Sequence, residues 1–147
     1  MNQGLSYIQV KDFTTQSGFH ISTLQLSYQL FGLELGTAPV VLVNHALTAN
    51  SNVVGETGWW KDIIGSGKTI DTTKFTVLAF NIPGNGYDGF LIDNYKDFVA
   101  KDIANVFLLA LKKMSIYKLH AIIGGSLGGG IAWEMAVLNP VIATHII

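Results

Sequence analysis

The pentapeptide Gly124-Gly125-Ser126-Leu127-Gly128 stands between an apolar run, Leu119-His120-Ala121-Ile122-Ile123, and a helix-like stretch from Gly129 to Ala136. This is G-x-S-x-G in the strand, turn and helix context that the motif requires. A serine raised on a sharp strand-to-helix turn comes close to backbone on both sides, so the residues two before and two after it must be small. The following helix directs free N–H groups to the place where negative charge develops in acyl transfer. In a glycine-rich protein such a pentapeptide is a plain loop about half the time. The buried-type strand before it and the helix after it favour the other reading, with Ser126 as a nucleophile.

The rest of the chain supplies the sheet that such a turn needs. Tyr7 to Phe13 and Ile21 to Phe31 alternate apolar and polar residues, which predicts two half-exposed strands. Pro39 to Val43, Phe75 to Phe80 and Leu119 to Ile123 are short continuous apolar runs, as expected of parallel strands covered on both faces. Ala143 to Ile147 begins another. Gly58 to Ile64 predicts one or two helical turns. Asn94 reads as an N-cap, with Asp97 three residues later at the positive helix end. Val99, Ile103, Val106, Phe107, Ala110 and Met114 then fall on one helical stripe, and the helix after Ser126 stops near Asn139-Pro140. Strands alternating with helices give an α/β fold: a mostly parallel sheet with right-handed crossovers and helices on both faces.

Composition narrows the chemistry. The 147 residues suffice for one domain, and only 13% are charged. The net charge of −1 gives no footprint for nucleic acid. All nine basic residues are lysines, so no guanidinium is present to grip a substrate carboxylate bidentately. Cysteine is absent, which excludes disulfides, thiolate metal sites and cysteine nucleophiles. The start, Met1 to Leu5, lacks the basic and apolar regions of a signal peptide, and no apolar run reaches membrane-spanning length. A soluble cytoplasmic protein without metal or membrane contact is the expectation.

Several motifs imitate function. Gly65-Ser66-Gly67-Lys68-Thr69 looks like the end of a P-loop, but Asp62 stands where the first glycine belongs. Gly84, Gly86 and Gly89 satisfy G-x-G-x-x-G, yet Phe90 to Asp93 separate them from the capped helix, which favours a turn-rich loop. His120 and His145 lie in apolar strands and read as packed residues. His45, at a strand end, suits shaping a loop better than proton transfer. Trp59-Trp60 reads as packing.

Four blocks together carry a resemblance: Asn44-His45-Ala46-Leu47-Thr48, Gly58-Trp59-Trp60, Ile64 to Thr72, and Gly124 to Gly129. In order and spacing they resemble the N-terminal half of the homoserine O-acetyltransferase family of α/β-hydrolase-fold enzymes. The first and third blocks are the specific ones. The family usually has methionine after the nucleophile, where this chain has Leu127; the backbone amide is unaffected. The resemblance implies a single α/β-hydrolase domain, residues 1–147 being its N-terminal part, ending after about the sixth strand without lid or C-terminal strands. It implies Ser126 as acyl-accepting nucleophile and the backbone N–H groups of Leu47 and Leu127 as the oxyanion hole. It implies acetyl-CoA as co-substrate, homoserine or a similar amino alcohol as acceptor, no resident cofactor, and a homodimer as one option for the full-length form.

The departure from the family is equally specific. In this fold the triad runs Ser, then Asp or Glu, then His. After Ser126 the chain offers only Glu134, in the helix leaving the serine, and His145, in the next strand. Neither stands in the late loops that supply the acid and base. Three functions therefore stay open: an acyltransferase of methionine biosynthesis, a serine hydrolase or esterase of the same fold, and a catalytically silent fragment.

Overall fold

The computed structural model describes residues 4–147; the first three residues of the signal-peptide reading lie outside them. A six-stranded sheet organises the chain. In chain order its strands are β1 (Ser6–Thr14), β2 (His20–Gly32), β3 (Val40–Asn44), β6 (Thr76–Phe80), β7 (Leu119–Gly124) and β8 (Ala143–Ile146). Across the sheet they lie in the order β1-β2-β6-β3-β7-β8. The β6–β3, β3–β7 and β7–β8 ladders are parallel, and the β1–β2 hairpin joins β6 antiparallel.

The central strands explain the apolar runs. All five residues of β3 and all five of β6 are buried, because both faces of these strands are covered. On one face, α1 (Ala100–Lys113) and α2 (Leu127–Leu138) pack Ile103, Phe107, Ile131 and Met135 onto Leu42, Leu78, Phe80 and Ile122. On the other, Val41, Val43, Val77 and Ala79 meet Val53, Ile64, Ile70, Trp59 and Trp60.

Three expectations need correction. Both α-helices lie on one face; the other face is covered by residues of the 50–75 segment, not by a helix. Gly58 to Ile64 forms successive turns, closed by Ile63 N–H and Ile64 N–H on the Trp60 carbonyl, in place of the expected helical turns. It leads into a two-residue parallel ladder of β4 (Ile64–Gly65) and β5 (Ile70–Asp71), too short for a strand pattern to announce.

The third correction concerns the cap of α1. Asn94 precedes only a short 3₁₀ turn, Tyr95–Asp97, and makes no side-chain cap. The N-cap of α1 is Val99, half exposed and off the buried stripe. Asp102 supplies the missing acceptor: its carboxylate takes the Val99 N–H at 3.0 Å and the Gln16 N–H at 2.9 Å. A buried carboxylate with two charge-assisted bonds fastens the helix start to the β1–β2 turn. The other end of α2 behaves as expected, with Asn139 as its C-cap before Pro140.

Candidate active site

The register of the sheet brings the two site loops together. β3 and β7 run side by side and end level, Asn44 opposite Gly124. Parallel strands deliver their following loops to the same edge, so the loop Asn44 to Thr48 and the turn Gly124 to Gly128 adjoin.

Ser126 sits at the tip of that turn with φ 55° and ψ −121°, in the left-handed half of backbone space that L-residues avoid. Packing enforces this conformation. A Cβ on Gly124 would overlap the Gly128 carbonyl, with the Gly129 nitrogen only 2.6 Å away. A Cβ on Gly128 would lie 2.6 Å from the Asn44 carbonyl carbon and 2.7 Å from the His45 oxygen. The small residues demanded by the motif are thus required on both sides: Gly124 lets the turn close on itself, and Gly128 lets α2 press against the end of β3. The Ser126 side chain is exposed, and among the described residues its Oγ has no hydrogen-bond partner.

The backbone donors expected of an oxyanion hole are free. Among the described residues neither the Leu47 N–H nor the Leu127 N–H has an acceptor. Leu127 opens α2, where the first N–H groups lack intrahelical partners and carry the positive end of the helix dipole. Leu47 lies in a tight turn closed by the Ala49 N–H on the Ala46 carbonyl at 3.0 Å, and its side chain points to solvent.

His45 holds this loop, as expected of a shaping residue. It is fully buried, its Nδ1 lies 2.6 Å from the Ala46 carbonyl, and its Nε2 accepts the Ile82 N–H at 3.0 Å. These partners require a neutral ring protonated on Nδ1. Burial lowers its pKa below the usual 6.5, against the opposing pull of the Ala46 carbonyl.

Beneath the ring lies a buried polar network that the sequence did not announce. Asn81 accepts the Ser51 N–H at 2.8 Å and donates to Ser27 and Ser51 hydroxyls at 2.9 and 3.0 Å. Ser51 Oγ donates to Gln29 at 2.7 Å, and Asn85 donates to Asn81 at 3.2 Å. The only sequence signal was a pair of asparagines just past the end of an apolar strand.

Trp60 covers the outer side of the turn: its ring would stand 3.5 Å from a Cβ on Gly125. Trp59 packs against Trp60 with centroids 4.4 Å apart and the rings tilted by 35°, and its Nε1 donates to the Asn50 carbonyl at 2.7 Å. The tandem tryptophans pack, as read from sequence, and their packing forms one wall beside Ser126.

Neither late candidate joins the serine. Glu134 lies eight residues along α2, about 12 Å by helical rise. The His145 ring packs edge-on against His120 at 5.2 Å, and His120 stacks on Phe75 at 4.9 Å. The imitations of function also dissolve. The Gly67 N–H is occupied by the Asp71 carboxylate, and Lys68 Nζ by the Lys61 carbonyl, leaving no phosphate cradle. Gly84, Gly86 and Gly89 all take positive φ in a loop well before α1. Among the described residues no cluster of three metal-ligating side chains occurs, and no helix is long and apolar enough to cross a membrane.

Comparison with known proteins agrees with this fold. Residues 39–144 match the family model of the alpha/beta hydrolase fold. The chain belongs to the α/β-hydrolase family. This α/β-hydrolase chain is 33% identical to a homoserine O-acetyltransferase of Corynebacterium diphtheriae over 92% of its own length, and spans 39% of that relative. A solved homoserine O-acetyltransferase from Bacillus anthracis superposes with a TM-score of 0.83 at 28% identity, covering 97% of this chain and 45% of that one. A solved esterase superposes at 0.80 with 27% identity, covering 95% and 45%. The chain therefore spans less than half of each of these three proteins.

Proposed function

We propose that this chain carries the nucleophile and oxyanion hole of an acyltransferase that moves acetyl from acetyl-CoA to the hydroxyl of homoserine. The observation that carries the reading is the enforced positive φ of Ser126 beside two unoccupied backbone donors, Leu47 and Leu127. In the first step Ser126 Oγ attacks the thioester carbonyl, its proton passes to a base, and the tetrahedral intermediate expels the CoA thiolate, which takes up that proton. In the second step the acceptor hydroxyl attacks the acyl-serine ester, and Ser126 recovers its proton. Both intermediates place an oxyanion between the Leu47 and Leu127 N–H groups. Loss of one such donor costs about a hundred- to a thousand-fold in rate.

The proton carrier is not among the residues gathered at Ser126, so the chain by itself is expected to turn over slowly or not at all. An esterase is the second reading, favoured by the solved esterase that superposes on the chain. The two differ in what discharges the acyl-serine, water or an amino alcohol. The test is mass spectrometry of the protein, with its remaining sequence where one exists, after exposure to acetyl-CoA, with and without homoserine. Acetyl on Ser126 that leaves as acetyl-homoserine supports the transferase; release as free acetate supports the esterase. Where the remaining sequence supplies the base, no adduct on Ser126, or an adduct that survives Ser126→Ala, refutes both.

A further inference from the structure

The Leu47 N–H does not hang on a free loop. It shares one planar, trans peptide unit with the Ala46 carbonyl, so the direction of that carbonyl sets the direction of the N–H. Two donors hold the carbonyl: His45 Nδ1 at 2.6 Å and the Ala49 N–H at 3.0 Å. The imidazole is in turn seated by the Ile82 N–H on Nε2 at 3.0 Å, with the Asn85 carboxamide 3.4 Å away. Ile82 and Asn85 follow β6, and Asn85 belongs to the buried Asn81–Ser51–Ser27 network. A chain of contacts thus runs from the sheet through one imidazole to the peptide that presents the donor.

We propose that His45 is a positioning residue of the oxyanion hole: its neutral, Nδ1-protonated ring grips the Ala46 carbonyl and thereby aims the Leu47 N–H at the substrate's acyl oxygen. The inference rests on the acyl-transfer reading of Ser126 and Leu47. Its chemistry has a built-in limit. A proton added at Nε2 faces the Ile82 N–H with a second donor, so the ring must leave its seat and release the Ala46–Leu47 peptide. Among the described residues no charged group offsets this: the ring's polar partners are the Ala46 carbonyl, the Ile82 N–H and the Asn85 carboxamide, none of which titrates. The nearest ionisable side chains along the loop are Tyr87 and Asp88; Tyr87 is exposed, and the Asp88 carboxylate accepts the Phe90 N–H.

The test is two-part. In the ¹⁵N-labelled chain, long-range proton–nitrogen correlation reads the His45 tautomer, and a pH titration follows the Leu47 and Ile82 amides. The expected result is an Nδ1-protonated ring whose titration, below the ordinary histidine range, moves both amides together while core resonances stay put. An Nε2-protonated ring, or a Leu47 amide that ignores the His45 titration, overturns the proposal. In the second part, Ser126 acylation by an activated acetate ester is timed in His45→Leu and His45→Asn. Asparagine keeps a donor near Nδ1, so it should recover part of a hundred- to thousand-fold loss in the leucine variant. Equal rates in the two variants at equal thermal stability overturn it. If wild-type Ser126 never acylates, the acyl-transfer reading fails on its own, and the titration still decides what His45 does. The titration also decides if His45→Leu does not fold.

Discussion

Gly128 and Gly130 are two glycines of the same helix with opposite predicted responses to alanine. In an exposed helical position alanine is favoured over glycine by about 1 kcal/mol, because glycine forfeits more backbone freedom on folding. Gly130 has nothing within 4 Å of its missing Cβ. Gly130→Ala should therefore stabilise the chain by most of that amount. Gly128 faces the end of β3, where the same Cβ would lie 2.6 and 2.7 Å from atoms of the Asn44 and His45 carbonyls. These are backbone atoms inside a six-stranded sheet, so no side chain can rotate away. Relief requires α2 to lift off β3 by about an ångström, at the upper end of overpacking costs, about 3 kcal/mol.

Subtracting the propensity gain leaves Gly128→Ala destabilised by about 2 kcal/mol, and the two variants about 3 kcal/mol apart. Urea denaturation followed by tryptophan fluorescence measures this directly. With a slope of about 2 kcal/mol per molar urea, the midpoints should separate by about 1.5 M. Equal midpoints, or a more stable Gly128→Ala, would show that the helix does not press against β3 and that the packing account of the turn is wrong. The same variant should displace the Leu127 amide, so acylation of Ser126 should fall even at temperatures where the protein remains folded.

Three further outcomes follow from single side chains. Ser126→Gly should raise stability modestly, by up to about 1 kcal/mol, since relief of a strained φ exceeds the entropic cost of glycine; denaturation measures it, alongside complete loss of any acyl adduct. Asp102→Ala strands the Val99 and Gln16 N–H groups and should cost about 2–3 kcal/mol, with amide exchange accelerating at both positions. Asp71 accepts bonds from the Gly67 N–H, the Thr73 N–H and the Thr73 hydroxyl, which with Lys74 hold its pKa at about 2, below the ordinary 3.8. Because the folded value is the lower one, its stabilisation is complete above pH 4 and disappears as pH falls towards 2; the Gly67 and Thr73 amides should lose protection over that window and in Asp71→Ala at neutral pH.

The parts of this fold that could be read from sequence are those set by local pattern. β3, β6 and β7 are continuous apolar runs because each is covered twice, and their limits agree within a residue. The elbow was legible because glycine is the only residue that fits where Gly128 meets Asn44. What escaped depends on distant partners. Asp97 stands three residues after Asn94, a favoured cap residue, and Asp102 three after Val99, a poor one; it is Asp102 that is engaged at the helix start, by the Val99 N–H and by the Gln16 N–H, 86 residues away. Gly58 to Ile64 has helix-like apolar spacing, but Gly58 packs against the Val54 backbone, 2.5 Å from its missing Cβ, and the chain turns there instead. The role of Asn81 is invisible in sequence, since its partners come from β2 and the loop before Trp59.

The two halves of acyl transfer place unequal demands on structure, and that bears on what this stretch of chain can do. Stabilising an oxyanion needs fixed dipoles: backbone donors whose direction is set before substrate arrives. The locks that touch those donors directly are formed within residues 40–128. The β3–β7 ladder sets the level of the two loops, Gly128 sets the approach of α2, and His45 with Ile82 sets the Ala46–Leu47 peptide. Proton transfer needs a base at the serine, and no titratable side chain of the described residues is hydrogen-bonded there; His45 has both nitrogens committed to the loop. Preorganisation and proton transfer are therefore separable in this fold. A site with the first alone should still bind a tetrahedral, anionic adduct, such as a boronate on Ser126, while accelerating its formation little.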